Sequence, residues 1–378
     1  MRYLLMIPGP VEVPEDVLQA FGGPPVAHYG PEWRDTYNGA TKAVSRILGT
    51  EGTSFLVPGS GSLGLEVAAA TFCQSRKCLV LNNGFFGDRV GEILRAHSQA
   101  VDEMRFGLGS PIDLQKVRDA LARKSYDALF MIHVETSTGM LNDPREIARM
   151  AKAQGCLFLL DAVSSAGIEH LAMDEWGVDV VVTASQKGFE SPPGLAVLSC
   201  RKGLVEERAG APRSSWYTDL GVWQEYAVKW SDWHPFPVTL PTNTVTALAK
   251  SLEIMEAQGV PRRLREQEEA TARLRSALQS LGLTPYVGEG HHAHGLTSLS
   301  VGGTFAASEL VTFLKQRLHI QIAGSLGELK DSVFRIGHMS RAQREPRNLA
   351  GVVSGIALFM ESKGLKPDLH QALKALGV

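Results

Sequence analysis

The sequence predicts an α/β protein with a large domain over residues 1–250 and a smaller α+β domain over residues 251–378. The large domain should be a mainly parallel sheet covered by helices. Three observations lead there. At 378 residues the chain exceeds what one small core accommodates, so two domains are expected. Between about residues 52 and 200, short β-rich runs alternate with amphipathic helical stretches, the rhythm of strand, crossover and strand. After Thr242 helical periodicity takes over, and between Gly295 and Gly337 two or three short strands surround a helix.

The apolar N-terminal run 1–7 stops at Pro8-Gly9-Pro10, short of a secretory signal core and without a small-residue cleavage site. Residues 54–57, 78–82, 128–133, 157–161, 179–184 and 195–199 read as strands. Several are apolar throughout, which places them in a sheet buried on both faces. Helices are expected over 244–258, over the strongly charged stretch 262–281, and over 346–363, where Gly364 closes the last. No internal repeat, low-complexity tract or run of transmembrane length is visible.

Composition narrows the function. A formal net charge of −2 without long basic runs leaves no electrostatic footprint for nucleic acid or an anionic membrane, so the expected partner is a small molecule. Cys73, Cys78, Cys156 and Cys200 lie in or beside apolar runs with no CxxC pair and no histidine cluster. That suggests neither a metal site nor a disulfide framework, and fits buried thiols in the cytoplasm.

The chemistry centres on Lys187, in Thr183-Ala184-Ser185-Gln186-Lys187-Gly188 at the end of one apolar run, and Asp161, at the end of the preceding one. The interval between them allows one crossover and one more strand. An amine and a carboxylate then stand on neighbouring strand ends, where open α/β sheets bind their ligands. Pyridoxal phosphate asks for that pair: a lysine to hold its aldehyde as a Schiff base, and an acid to keep its ring nitrogen protonated. Separately, Lys187 also reads as an exposed loop lysine and Asp161 as a helix cap. Pro192-Pro193-Gly194 points to a rigid return into another strand rather than a loose loop.

Gly59-Ser60-Gly61-Ser62-Leu63-Gly64 follows a strand and opens a helix, as a dinucleotide fingerprint would. That fingerprint also needs an acid closing the next strand, which here ends in Asn82-Asn83. What remains is a phosphate cradle or a plain turn: small residues let backbone amides approach a phosphate at a helix N-terminus, and Ser60 and Ser62 add hydroxyls. In Asn83-Gly84-Phe85-Phe86-Gly87-Asp88-Arg89 a ring, most simply that of Phe86, can lie over a planar cofactor, the alternative being core filling. His133-Val134-Glu135-Thr136-Ser137-Thr138-Gly139 closes a buried strand with hydroxyls, of which Thr136 is the candidate to meet the cofactor or else to cap a following helix. Val163 would supply an apolar floor. Arg335, in Phe334-Arg335-Ile336-Gly337-His338, fits either a substrate carboxylate or a domain-interface ion pair.

Taken together, these motifs resemble the class V, fold-type I pyridoxal-phosphate aminotransferases, within them the alanine/serine-glyoxylate group. The resemblance runs over nearly the whole chain, from Pro8-Gly9-Pro10 to Met339. It implies a mainly parallel seven-stranded sheet, with Lys187 as the Schiff-base lysine and Asp161 on the pyridinium nitrogen. Ser60, Gly61, Ser62 and Gln186 would hold the phosphate region, Thr136 would contact the ring oxygen, and Gly9 and Arg335 would bind substrate. It further implies a homodimer in which Phe236-Pro237-Val238-Thr239-Leu240-Pro241 enters the partner's site and Thr239 contacts the partner's phosphate. Phe236 and Phe86 stand where some relatives have tyrosine and tryptophan, which implies one phosphate hydrogen bond fewer and a smaller stacking area. The activity implied is ping-pong transfer of an amino group from a small amino acid, of alanine or serine type, to a 2-oxo acid such as glyoxylate or pyruvate. Alternatives are a specialised transaminase such as one acting on ureidoglycine, a desulfurase, which would need a mobile cysteine, and a non-catalytic cofactor-binding subunit. Donor choice is expected from side chains such as His28, Tyr29, Trp233 and His338.

Overall fold

The computed structural model describes residues 3–208 and 210–378, so Met1 and Arg2 of the apolar N-terminal run lie outside the described residues. Seven strands form the large sheet in the spatial order Thr53–Gly59, Gly194–Cys200, Val180–Ala184, Leu157–Asp161, Ala128–Ile132, Lys77–Asn82 and Ala100–Arg105. All pairings are parallel except those of Gly194–Cys200, which runs antiparallel to both neighbours. The runs 128–132 and 180–184 are buried at every position, as strands covered by helices on both faces must be. Six of the seven strands match apolar runs in the sequence. Ala100–Arg105 does not, because as an edge strand it alternates Val101 and Met104 with Asp102 and Glu103 and is only half-buried.

A second sheet of four short antiparallel strands, Thr284–Pro285, Leu296–Ser300, Val333–Gly337 and Ala323–Gly324, carries its own core. There Leu274, Leu299, Leu310, Phe334 and Ile356 lie fully buried between sheet and helices. Each such side chain contributes about 1.5–3 kcal/mol of transfer free energy. The N-terminal segment reaches this sheet: Leu4–Leu5 pairs in parallel with Ile320–Gln321, and Gly337 N donates to Met6 O at 2.8 Å. Residue 250 falls inside the helix Thr242–Gln258, which packs on Glu15–Phe21 and Pro31–Leu48.

One buried ion pair fixes the segment after the large sheet's strand Val180–Ala184. Arg263 Nη2 donates to Glu190 Oε1 at 2.6 Å and to Gly188 O at 3.0 Å, while its Nε donates to Gly167 O at 2.8 Å. Both side chains are fully buried; removing Glu190 would strand the Arg263 charge at a cost of about 3–5 kcal/mol, while Glu190 is also met by Arg341 at 3.3 Å. The turn that bears Lys187 is thereby tied to the helix Val260–Ser280.

Candidate active site

Leu157–Asp161 and Val180–Ala184 run side by side in parallel with Asp161 opposite Val182, so both strands end on the same edge. Lys187 follows Ala184 in a turn, and it and Asp161 line one cavity of about 220 Å³. Ser60, Gly61, Ser62, Phe86, Thr136, Val163 and Gln186 line the same cavity. Residues scattered between positions 60 and 187 therefore converge because five co-directional strands deliver their carboxyl ends together.

Asp161 is buried; its Oδ1 accepts from Val163 N at 2.8 Å, and among the described residues it forms no ion pair. Burial pushes its carboxyl up to about 7, and the backbone bond from Val163 only partly offsets this. Lys187 is pulled down to about 8, first by desolvation and then by the Arg335 cation. Its Nζ donates to Pro8 O at 2.5 Å. An amine with this lowered proton affinity is a competent nucleophile toward a carbonyl.

Ser60 caps the helix Gly61–Phe72, with Leu63 N donating to its Oγ at 3.3 Å. A Cβ on Gly61 would lie 3.0 Å from a methyl of Val163, so a side chain there would crowd the cavity floor. A helix N-terminus with small residues is a geometry that can receive an anion. Thr136 Oγ1 and Ser164 Oγ are 2.5 Å apart, and no helix follows Thr136, so it is not an N-cap. The ring of Phe86 lies under the Arg89 guanidinium at 5.0 Å.

Three expected residues lie outside this cavity wall. Arg335 is buried in the strand Val333–Gly337 and forms no ion pair among the described residues; its Nε and Nη2 donate to Gly324 O and its Nη1 to Thr136 O at 2.9 Å. Gly9 sits against the Lys187 side chain at φ +128°. Thr239 is exposed, 3.4 Å from His28 Nε2. His338 does not line the cavity either: it is buried and bonded to Thr297 at 2.9 Å. Tyr29 and Trp233 are exposed and meet edge to face. Arg89, Leu65, Val134 and Ser164 line the cavity without having been singled out. Arg89 was detectable, since it follows Phe86 by one helical turn on the same face.

The family model for class-V aminotransferases matches residues 26–329, and the chain belongs to that family. It is 33% identical to the soluble hydrogenase small subunit of Synechococcus sp. over 96% of this chain and 94% of that protein. Against alanine–glyoxylate aminotransferase 1 of Saccharomyces cerevisiae it is 28% identical, covering 89% of this chain and 91% of that one. The fold is that of the Bacillus subtilis ureidoglycine-glyoxylate aminotransferase, at TM-score 0.93 and 23% identity, covering 100% of this chain and 97% of the other. The protein is thus a pyridoxal-phosphate-dependent aminotransferase of fold type I, acting on amino and oxo acids. The cavity fits the cofactor: an amine, a buried carboxylate with no ion pair among the described residues, hydroxyls, and a glycine-bearing helix N-terminus meet in one cavity. Among the described residues no helix is long and apolar enough to cross a membrane.

Proposed function

We propose that the chain moves an amino group from a small amino acid of alanine or serine type to a 2-oxo acid such as glyoxylate or pyruvate, in a ping-pong cycle anchored on Lys187. The observation that carries this reading is the convergence of Lys187 and Asp161 on one cavity from adjacent parallel strand ends. Pyridoxal phosphate, when bound, supplies the carbonyl and the electron sink. Lys187 would hold it covalently through its amine and, once displaced by the donor, carry the proton lost from the substrate α-carbon. Asp161 would keep its charge on the ring nitrogen and hold the proton there. Ser60, Gly61, Ser62 and Gln186 would bind the phosphate, Phe86 and Val163 would enclose the ring, and Thr136 would meet its oxygen.

Arg335 would fork onto the substrate carboxylate beside Gly9; its reach to Thr136 O supports a place next to the cavity. Thr239, exposed in the single chain, supports a homodimer in which it reaches the partner's phosphate. Free, buried cysteines support a reducing compartment such as the cytoplasm, and argue against a desulfurase, which needs a mobile thiol in the site. A donor-by-acceptor activity panel tests the substrate assignment. Turnover only with ureidoglycine or another specialised donor would overturn the alanine or serine reading.

A second reading, a subunit that binds the cofactor without turning over, starts from the 33% identity to a protein named as a hydrogenase subunit rather than as a transferase. It predicts no conversion of the bound cofactor to its aminated form when amino acids are added, whereas the transaminase reading predicts that conversion.

A further inference from the structure

The helix Phe85–His97 begins at Gly84, an N-cap with no side chain to satisfy the first amides. The buried carboxylate of Glu135 comes in from another element and does that work: its Oε2 accepts from Phe86 N at 3.0 Å and Gly87 N at 3.3 Å. Its Oε1 accepts from Ser137 N at 3.0 Å and Ser137 Oγ at 2.5 Å. Ser137 Oγ in turn accepts from Phe85 N at 3.3 Å, so the amides of the first three helical residues are all met by this pair. The approach is so close that a Cβ on Gly84 would lie 2.4 Å from Glu135 Cγ. A carboxylate with four donors at zero exposure is a rigid joint rather than a surface contact.

We propose that Glu135 is a positioning residue for the cofactor ring, holding the first helical turn so that Phe86 stays over the cavity. It acts through Phe86, touches neither substrate nor cofactor, and rests on the reading that this cavity holds pyridoxal phosphate. Asp161 and Arg335 feel its charge as well, but the bonds to the helix amides are what fix the ring.

The test is a double-mutant cycle on the affinity of the cofactor-free protein for pyridoxal phosphate, using Glu135→Gln, Phe86→Leu and both together. Glutamine keeps the volume but points an amide NH₂ at groups that are themselves donors. The dissociation constant is expected to rise roughly five- to tenfold in the Phe86 background and less than about twofold in the Phe86→Leu background. Should Glu135→Gln fail to fold, Ser137→Ala, which removes only the hydroxyl, should show a two- to threefold loss with the same dependence on Phe86 (about 0.5 kcal/mol). An unchanged affinity, or the same loss in both backgrounds, would overturn the role of Glu135. Wild-type protein that takes up no cofactor would overturn the reading of the cavity instead.

Discussion

The ε-amine of Lys187 donates a 2.5 Å hydrogen bond to the carbonyl oxygen of Pro8, so the N-terminal segment supplies the resting acceptor for the site's nucleophile. Residue 9 must be glycine for this contact. Its φ is +128°, and a Cβ there would fall 2.6 Å from Cδ, Cε and Nζ of Lys187. Val11 N holds the segment down by donating to Gln186 O at 3.1 Å.

Gly9→Ala should therefore displace the amine while leaving the two cores intact. Turnover is expected to fall about 10- to 100-fold, the scale of a misplacement near 1 Å, with thermal stability changed much less. Steady-state kinetics together with a melting curve check this. Full turnover in the variant would show that the lysine does not depend on the segment.

Asp161 makes the cofactor-free protein sensitive to pH. Its folded carboxyl titrates near 7 rather than near the ordinary 3.8, so the folded state keeps a proton that the unfolded state has already lost. The contribution is fully present below about 4 and is lost as pH rises through about 7. Asp161→Asn removes that slope and should stabilise the cofactor-free protein at pH 8 by about 1–3 kcal/mol, while turnover falls at least about 100-fold. Denaturant titrations across pH, run without cofactor, measure the first effect.

Lys187 gives a second pH signature. With its proton affinity lowered to about 8, the reactive neutral amine is already abundant at mildly alkaline pH. The rate of cofactor attachment to the cofactor-free protein should rise with pH through about 8 and then level off. Arg335→Gln removes a neighbouring cation that lowers this value, so the midpoint should move upward. Stopped-flow absorbance over a pH series reads both. A rate still climbing well above pH 9 in the wild type would contradict the desolvated environment.

Arg335→Gln should also raise KM for the amino donor and for the oxo acid together, by roughly 10- to 100-fold, with a smaller change in kcat. Both substrates carry the carboxylate that the guanidinium is proposed to grip. Unchanged KM for both would leave Arg335 as a domain-interface residue only, bonded to Thr136 O and Gly324 O as it stands.

The parts of the fold legible in the sequence were those where burial forces a repeating pattern. Leu157–Asp161 coincides with its apolar run, and the helix Pro346–Ser362 begins at its proline. The edge strand Ala100–Arg105 is not legible, because half-exposure dilutes its pattern with Asp102 and Glu103. The antiparallel sense of Gly194–Cys200 was equally hidden, since direction depends on the connection rather than on composition. In the site, the cavity residues at strand ends announced themselves as polar groups closing apolar runs. The role of Glu135 is not legible in its motif, because its partners at Phe86 and Gly87 come from a distant helix that no local pattern connects to it. His338 shows the opposite: it is near Arg335 in sequence, yet its ring meets Thr297 and Thr271 in the small-domain packing.

The most direct test of the whole account is borohydride reduction of the cofactor-loaded protein followed by peptide mass mapping. The account predicts a single stable cofactor adduct on the peptide containing Lys187, lost in Lys187→Ala together with turnover. An adduct on a different lysine, or no reducible attachment at all, would contradict it.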